Sequence, residues 1–474
     1  MKNYSEITPY ITELAALSDK NNGIRPEMYT EHHVYRGLRD MSGNGVVTGL
    51  TEISRIKAKE MLPDGSETPC DGQLFYRGIN VRDLVSGFMR ERRFGFEETA
   101  YLLLFSELPD KNELDRFGNE LGEYRSLPTS FVRDMILKAP GKDMMNILSR
   151  TVLALYAYDE NPDDISVANV LRQCLQLIAV FPMLAVYGYQ SYQHYHCGKS
   201  LFIHLPEKQL STSENILRLL REDGKYSSLE ATVLDLALVL HAEHGGGNNS
   251  TFATRVLTSS GTDTYAAIAA GMGSLKGPKH GGANIKAAEM IRFIQNGVSD
   301  PSDDGQIADY LAKIIRKEAG DGSGLIYGMG HAVYTLSDPR AVILKEEARK
   351  YAEKHGFTEK YKLIESIERL TPEVFLKEKG NKKPICANVD LYSGFIYEML
   401  RIPEDLFTPL FTTARIAGWT AHRIEELATG GRIIRPAYKS VMAKREYVTI
   451  DKRIPKYAPD QGYVPYEERI IKGE

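Results

Sequence analysis

Apolar residues recur at helical spacing through most of the chain, which predicts a mainly α-helical protein. The clearest segments are FEETAYLLLFSEL (95–107), SLEATVLDLALVLHAEH (228–244) and DPRAVILKEEARKYAEKHG (338–356). In the last of these, Asp338 is placed to cap the helix, Pro339 fits its first turn and Gly356 marks its end. Period-two patterns typical of strands are few, and QLFYRGINVRDL (73–84) contains one short strand or turn.

Glycine-rich stretches interrupt the helical pattern, each beside a histidine or an arginine, at 244–247, 271–282, 320–330 and 430–431. The charged segment 296–322 indicates surface loops around one helix. After Tyr438 the helical periodicity ends, and the chain becomes rich in Tyr, Pro and Lys. A tail of this kind is expected to lie extended on a surface, here that of a neighbouring subunit.

Composition places the chain among soluble globular proteins, with 474 residues of which 42% are hydrophobic and 26% charged. Because domains commonly hold roughly 100–200 residues, two or three domains are expected. The formal net charge of -4 gives no reason to expect nucleic acid as a partner. Four scattered cysteines match neither a disulfide framework nor a zinc ribbon. Without a secretory signal or an evident membrane span, the chain is expected to be cytoplasmic, with no membrane partner.

The segment HAEHGGGNNSTF (241–252) ends a strongly apolar helical pattern with two histidines. His241 and His244 are three residues apart, so both can project from one face, as metal ligands do. The segment lacks the second histidine of H-E-x-x-H, and no ligand follows at metal spacing. The three glycines after His244 suit the close approach of an anionic substrate to the backbone. A helix C-cap with a buried histidine is the structural alternative.

Three further segments carry candidate chemistry. In SLKGPKHGGANIKAAEM (274–290), His280 precedes a helix expected to begin near Ala283, and a helix N-terminus favours the neutral imidazole. A neutral histidine can donate a hydrogen bond to a developing enolate oxygen. An exposed loop histidine is the alternative.

In LIYGMGHAVYTLSDPR (325–340), Gly328 and Gly330 permit backbone contacts to a flat or phosphorylated ligand just before His331. As a dinucleotide-binding loop the G-M-G is a weak match, because the third glycine and a preceding strand are missing. Arg340 offers a two-pronged contact to a carboxylate. A surface arginine in the first helical turn is the alternative.

In KKPICANVDLYSGFIY (382–397), Asp390 lies between apolar residues. A carboxylate partly removed from water has a raised pKa and becomes a stronger base. The alternative is a helix N-cap. Lys382 and Lys383 are ordinary solvated lysines unless a phosphate lies near.

Taken together and in this order, these segments resemble the citrate synthase family. The matching motifs are H-A-E-H-x-x-x-N, G-P-K-H-G-G-A-N, G-M-G-H-A-V-Y with D-P-R, N-V-D-L-Y-S-G, T-A-R-I-A-G-W (413–419) and R-P (435–436). The resemblance implies a mainly α two-domain fold, with a large domain from 1–284 completed by 396–474 and a small mobile domain at 285–395. Departures from the family are Gly245, where many members have Glu, and long segments at both ends.

The resemblance also implies an activity, the condensation of acetyl-CoA with oxaloacetate followed by hydrolysis of citryl-CoA to citrate. Asp390 would take a proton from the acetyl methyl group, His280 would stabilise the enol and His331 would donate to the oxaloacetate carbonyl. The implied substrate contacts are His244, Asn248, Arg340, Arg415 and Arg435 for oxaloacetate, and Tyr327, Gly328, Met329, Gly330, Lys382 and Lys383 for coenzyme A. Arg435 would come from the partner subunit of a homodimer. Coenzyme A enters as a thioester substrate, and neither a cofactor nor a metal is expected.

Four alternatives stay open. A 2-methylcitrate synthase would use propionyl-CoA on the same scaffold, and one extra methylene changes pocket preference by only about 1–3 kcal/mol. A citryl-CoA lyase would run the second half in reverse, and a non-catalytic relative would only bind coenzyme A. From another class, a metal-dependent hydrolase would use His241, His244 and His280.

Overall fold

The structure is a computed structural model that describes residues 7–35, 37–39, 45–278, 280–331, 333–380 and 384–454. Its helices are α1 (Pro9–Asn21), α2 (Pro26–Glu31), α3 (Val81–Glu91), α4 (Phe96–Phe105), α5 (Lys111–Tyr124), α6 (Met144–Leu155), α7 (Val167–Cys197), α8 (Thr212–Leu220), α9 (Ser228–His241), α10 (Asn249–Ser259), α11 (Thr264–Lys276), α12 (Ala283–Gly297), α13 (Asp304–Ile315), α14 (Pro339–His355), α15 (Thr358–Lys379), α16 (Val389–Met399) and α17 (Phe407–Ala428). The strands are β1 (Ser54–Met61), β2 (Glu67–Tyr76) and β3 (Ile79–Asn80). A π-helical turn lies at Val132–Leu137, and short 3₁₀ turns lie at Tyr156–Tyr158, Glu404–Leu406 and Ile450–Lys452. The predicted mainly α fold is confirmed.

Helix α14 begins and ends as the sequence predicts. The Asp338 side chain accepts the N–H of Arg340, Pro339 occupies the first turn and Gly356 adopts the left-handed conformation at the C-cap. Pro fits the first position because no intrahelical hydrogen bond needs its N–H there. Gly fits the position just past the end because, without a Cβ, it adopts the left-handed conformation without strain. Local interactions therefore set where α14, the helix that carries Arg340, begins and ends.

Two long helices form the centre of the core. Helix α17 is buried without interruption from Phe407 to Arg423 and packs against α4, α7, α9 and α10. Helix α7 is long and apolar enough to cross a membrane, but 78% of its most apolar window is buried within the protein. Packing in the core accounts for that composition, since a helix that is apolar on all sides is buried in a large protein as readily as in a bilayer.

An antiparallel hairpin of β1 and β2 lies between α2 and α3 in the chain, with Ser54 paired to Tyr76 and Met61 to Glu67. The register shifts between Lys57 and Lys59, and β3 adds two residues at the other edge of β2. Only the second half of β2 was indicated by the sequence. The outer half of the hairpin is largely exposed, so its residues lack the apolar alternation that marks a half-buried strand.

Contacts divide the chain into two units, residues 47–434 and the terminal segments 1–46 with 435–474. In the terminal unit, α1 has no buried residue, and the segment that follows Tyr438 is extended except for the turn at Ile450–Lys452. The predicted loss of helical structure after Tyr438 is confirmed for the described residues. The predicted boundaries at 284/285 and 395/396 stay a prediction.

Candidate active site

The chain turns sharply between α9 and α10, and this turn positions His244. The Glu243 carboxylate accepts the Gly245 N–H, and the Tyr76 hydroxyl lies within hydrogen-bond distance of the Val239 and Glu243 carbonyls. Gly245 has φ +90, a conformation that glycine adopts without strain. Helix α9 ends at His241 with Ala242 as its C-cap, so His244 is not the capping residue.

The imidazole of His244 is almost fully buried, and its Nε2 finds no partner among the residues that the structure describes. Burial, with the charges of Arg340 and Arg415, holds the pKa of His244 well below its usual range. The ring is therefore neutral at pH 7. A buried polar atom without a partner is costly, so Nε2 is available to a ligand.

His280 lies in the turn before α12, as predicted, and its Nε2 lies 3.0 Å from both Asn248 Oδ1 and Ser250 Oγ. Asn248 also caps α10 by accepting the N–H of Ser250. Burial, with the charge of Arg415, lowers the pKa of His280 to about 4, so the ring is neutral at pH 7. The predicted neutral state is supported, with burial rather than the helix N-terminus as its main cause.

Ser250 decides which nitrogen of His280 carries the proton. Its hydroxyl accepts the indole N–H of Trp419 and has one hydrogen to donate. Donated to Asn248 Oδ1, that hydrogen leaves His280 with a proton on Nε2; donated to His280, it leaves the proton on Nδ1. Only the second arrangement gives His280 the free N–H that the predicted role requires. The sequence did not single out Ser250, although it lies two residues after Asn248.

His331 is held in one tautomer by its own loop. Its Nδ1 accepts the backbone N–H groups of Val333 and Tyr334, both at 3.0 Å, which places the ring proton on Nε2. Burial and the charge of Arg340 lower the pKa of His331 to about 4. Its ring centroid is 5.2 Å from that of His244. His331 is therefore a neutral donor facing His244.

Arg340 is buried, so the surface alternative is wrong. Its Nε and Nη2 donate to the two carboxylate oxygens of Asp338 at 3.0 and 2.7 Å. Burial opposes the charge of Arg340, but the Asp338 carboxylate holds its pKa above the usual arginine value. The sequence identified Asp338 as a helix cap and missed this second contact, which orients the guanidinium.

Arg415 on α17 is fully buried, and its Nε donates to the His241 carbonyl at 2.7 Å. The guanidinium carbon lies 4.7 Å from the centroid of the Phe411 ring. Neither Nη1 nor Nη2 has a hydrogen-bond partner within the described part of the chain. Burial lowers the pKa of Arg415 to about 10, which still leaves it charged at pH 7. Two unpaired donors on a buried cation form a receptor for an anion.

Asp390 lies in the first turn of α16, whose N-cap is Asn388; the Asn388 side chain accepts the Asp390 N–H at 2.9 Å. The N-cap alternative for Asp390 is therefore wrong. The described residues supply no hydrogen bond to its carboxylate. Burial raises the pKa of Asp390 to about 6, with Arg340 and Arg415 acting in the opposite direction. The carboxylate is poised as a base near neutral pH.

The loop before His331 is joined to the segment before Asp390. The Gly330 N–H donates to the Cys386 carbonyl at 2.8 Å, and the Asn388 N–H donates to the Gly328 carbonyl at 2.9 Å. The Asn388 side chain adds a third bond, to the Gly330 carbonyl. Two residues predicted to act on the same reaction are therefore held by one local hydrogen-bond network.

Four of the predicted coenzyme A residues, Tyr327, Gly328, Met329 and Gly330, lie in this loop. A Cβ at Gly328, which has φ +79, would lie 2.8 Å from Leu391 Cβ, so packing against α16 accounts for this glycine. Met329 pairs with Ala387, and the Tyr327 hydroxyl donates to Asp321 at 2.8 Å. Their contacts with coenzyme A stay a prediction. Lys382 and Lys383 lie outside the described residues.

The predicted oxaloacetate residues divide between the two units. His244, Asn248, Arg340 and Arg415 belong to residues 47–434, and Arg340 and Arg415 both act electrostatically on His244 and Asp390. Arg435 is exposed on the extended segment after α17 and belongs to the terminal unit, so its place in the site stays a prediction. Within the described ranges no group of three His, Cys, Asp or Glu residues is arranged to hold a metal ion, which gives the hydrolase alternative no support.

The family model described as citrate synthase, C-terminal domain, matches residues 40–437. The chain belongs to the citrate synthase family. It is 34% identical to a citrate synthase of Synechocystis, over 82% of this chain and 89% of the relative. It is 32% identical to 2-methylcitrate synthase 1 of Corynebacterium glutamicum, over 90% of this chain and all of the relative. The family therefore makes the chain an acyltransferase of the citrate synthase type.

Solved structures agree with the fold. The citrate synthase of Thermotoga maritima superposes with a TM-score of 0.68 at 29% identity, covering 89% of this chain and 99% of the other. The Thermoplasma acidophilum enzyme, in a ternary complex with carboxymethyl coenzyme A and oxaloacetate, superposes with a TM-score of 0.71 at 26% identity, covering 86% and 97%. The predicted mainly α citrate synthase fold is confirmed.

Proposed function

We propose that this protein condenses acetyl-CoA with oxaloacetate and hydrolyses the citryl-CoA formed, giving citrate and coenzyme A. The observation that carries the proposal is the pair of unpaired Nη groups on the buried Arg415, beside a neutral His244 with a free Nε2. A dicarboxylate satisfies both groups at once, because guanidinium and carboxylate match in a two-point contact. The Thermoplasma acidophilum relative, solved with carboxymethyl coenzyme A and oxaloacetate, supports a coenzyme A derivative and oxaloacetate as the two ligands.

In the binding step, one oxaloacetate carboxylate lies on Arg415 and the other on Arg340. Asp338 holds the Arg340 guanidinium in one orientation, so little further side-chain entropy is lost when the substrate binds. His244 Nε2 completes the set of contacts. Asn248 supports the site indirectly, by accepting the backbone N–H of Ser250, whose hydroxyl lies beside His280.

In the first chemical step, Asp390 removes a proton from the methyl group of the thioester. That proton is too weakly acidic to be removed by a solvated carboxylate. The pKa of Asp390 is raised to about 6, which brings the pKa of the base closer to that of the thioester methyl group. The electron pair moves to the thioester oxygen, where the His280 Nδ1–H donates to the enolate. This tautomer requires the Ser250 hydroxyl to donate to His280 Nε2, 3.0 Å away, in place of Asn248 Oδ1 at 2.8 Å.

In the second step, the enolate carbon attacks the carbonyl carbon of oxaloacetate. The negative charge that develops on the carbonyl oxygen is stabilised by the Nε2–H of His331, the only ring proton that its Nδ1 contacts allow. Water then cleaves the thioester and releases coenzyme A as a free thiol. No separate cofactor enters the proposal.

Thiol release from acetyl-CoA with oxaloacetate tests the proposal. Asp390→Ala is expected to lower kcat by about 10²–10⁴-fold while the affinity for oxaloacetate is retained, because a general base acts only in the chemical step. Asp309→Ala, an exposed aspartate on α13, is the matched control and should behave as wild type. Equal turnover in Asp390→Ala and wild type would contradict the assignment of the base.

The acyl chain has a second candidate. Relatives named 2-methylcitrate synthase match the chain about as closely as those named citrate synthase, at 32% and 33% identity against 31–34%. Propionyl-CoA is therefore the alternative donor. The ratio of kcat/KM for the two thioesters decides between them, and a preference for propionyl-CoA would replace citrate by 2-methylcitrate in the proposal.

The proposal includes a cytoplasmic homodimer in which Arg435 of one subunit serves the site of the other, with no nucleic-acid or membrane partner. The terminal unit supports it with large apolar side chains that are almost fully exposed in the single chain, Tyr438 at 95% and Ile454 at 88%. A mixture of inactive Arg435→Gln and Asp390→Ala subunits should regain activity after exchange, because one site then has both residues. Mixtures that stay inactive despite exchange would contradict the shared site.

A further inference from the structure

The β1–β2 hairpin contacts the segment that carries His331 and Arg340. Gly72, at the middle of β2, is buried and directly follows the largely exposed outer half of the strand, 67–71. A Cβ at Gly72 would overlap the carbonyl oxygen of Ser337 and lie 2.5 Å from Tyr334 Cδ1. Its φ is not in the left-handed region, so the close approach of two chain segments is what requires glycine here.

Ser337 bonds to the hairpin twice. Its hydroxyl accepts the Gly72 N–H at 3.1 Å and donates to Asp71 Oδ1 at 2.9 Å. Ser337 immediately precedes Asp338, whose carboxylate caps α14 and holds the Arg340 guanidinium. A single peptide bond therefore joins Ser337, which contacts the hairpin, to Asp338, which orients Arg340.

Tyr334 makes the second contact with the hairpin. Its buried ring packs in a small cluster with Ala58 and Cys386, and Ala58 lies at the register shift in β1. A bulge of this kind redirects side chains and is common beside active sites. On its other side, Tyr334 donates its backbone N–H to His331 Nδ1, and the two ring centroids are 4.8 Å apart.

The geometry points to the β1–β2 hairpin as the element that positions His331 and Arg340, with Gly72 and Ser337 as its positioning residues. This inference rests on the proposed function, since it concerns the same site. The hairpin contributes few residues to the hydrophobic core, and a role in positioning the segment that carries His331 and Arg340 is compatible with that. Gly72 and Ser337 touch neither substrate; they act through Tyr334 and Asp338.

Kinetics of Gly72→Ala and Ser337→Ala test the inference, with Gly87→Ala and Ser86→Ala on α3 as matched controls. A Cβ at Gly87 meets open space, and Ser86 is exposed. Displacing the segment by about 1 Å is expected to lower kcat/KM for oxaloacetate on the order of a hundredfold in Gly72→Ala. Loss of two hydrogen bonds in Ser337→Ala is expected to lower it about tenfold.

Three readouts separate positioning from a merely structural role. The KM for the thioester should change far less than that for oxaloacetate, because the backbone of the loop at 326–330 is bonded to 386–388 and reaches the hairpin through the packing of Cys386 on Tyr334. Ser337→Thr, which keeps the hydroxyl, should recover most of the loss. Amide hydrogen exchange of peptides covering 331–338 should accelerate in both variants and in neither control.

The two proposals fail separately. A wild-type protein that releases no thiol with either thioester would overturn the proposed function. Exchange rates and oxaloacetate kinetics indistinguishable from the controls, in an active wild-type background, would overturn the positioning role and leave the function intact. Equal losses in Ser337→Ala and Ser337→Thr would also overturn it, because the hydroxyl would then be irrelevant.

Discussion

Two arginines on α17, Arg415 and Arg423, are equally buried but differ in how their nitrogens are paired. Every nitrogen of Arg423 donates a hydrogen bond; the acceptors are Thr264 Oγ1 at 3.1 Å, Thr258 Oγ1 at 3.1 Å and the Thr262 carbonyl at 2.8 Å. Arg415 donates from Nε alone, to the His241 carbonyl. Two turns of one helix thus separate a satisfied guanidinium from one with two open positions.

This difference in hydrogen bonding indicates a structural role for Arg423 and an anion-binding role for Arg415. Burying a cation costs free energy unless hydrogen bonds replace those lost from water, and Arg423 recovers them from the end of α10, the loop that follows and the first residue of α11. Arg415 recovers one hydrogen bond, so part of the free-energy cost of burying its guanidinium stays uncompensated in the folded chain. A bound anion removes the cost, which is why an unpaired donor on a fully buried charge indicates a binding site and burial alone does not.

The largest expected effect comes from Arg415→Gln. Two charge-assisted hydrogen bonds at about 1.5–3 kcal/mol each correspond to a loss on the order of a thousandfold in oxaloacetate affinity. Titration calorimetry measures it directly. In wild type, oxaloacetate at 100 times Kd should also add about 2.7 kcal/mol to the free energy of unfolding, and this stabilisation should vanish in the variant. Unchanged affinity would remove Arg415 from the site.

Arg423→Gln is expected to lower the stability of the fold and to leave oxaloacetate affinity unchanged. Its effect is smaller than the loss of affinity expected for Arg415→Gln. Leaving two threonine hydroxyls and a carbonyl without their partner is expected to lower the free energy of unfolding by about 2 kcal/mol. Urea titration measures that loss, and calorimetry on the folded variant should give the wild-type oxaloacetate affinity. A large loss of affinity here would mean that burial, and not the open Nη groups, distinguishes the two arginines.

The smallest expected effect is on pH dependence. Burial raises the pKa of Asp390 to about 6, so kcat at saturating oxaloacetate should fall about tenfold per pH unit below that value, as the base becomes protonated. His280 and His331 stay neutral through this range, since their pKa values are about 4. The charge of Arg415 holds the pKa of Asp390 down, so the acid limb should move to higher pH in Arg415→Gln and stay in place in Arg423→Gln. If the acid limb lay at the same pH in wild type, Arg415→Gln and Arg423→Gln, the charge of Arg415 would have no effect on the pKa of Asp390.

Some of the site was predictable because its signals are local. Asp338, Pro339 and Gly356 bound a helix by rules that act over one turn, and the structure follows them. The neutral state of His280 was also predicted, but its main cause lies in burial, which a loop sequence does not reveal. The surface alternative for Arg340 was wrong because packing buries the side chain, and the cap alternative for Asp390 was wrong because Asn388 caps α16.

Other features depend on pairs of residues that are far apart in the chain. Ser337 and Gly72 are separated by 265 positions, and Arg415 and the His241 carbonyl by 174. Nothing in the residues near Gly72 signals that a backbone oxygen will lie against it. The hairpin was missed for the same reason, since its outer half packs on one loop and not on a broad apolar face.

The sequence by itself determined the helical class, the ends of α14 and, through the order of its motifs, membership of the citrate synthase family. Those properties follow from short-range propensity and from residue identity, which are present in the unfolded chain. Only the tertiary structure decided that Arg415 keeps two donors open while Arg423 does not, that Asp338 orients Arg340 and that the hairpin contacts their segment. Satisfying a buried charge depends on which distant oxygens arrive beside it, and that is settled only when the helices pack.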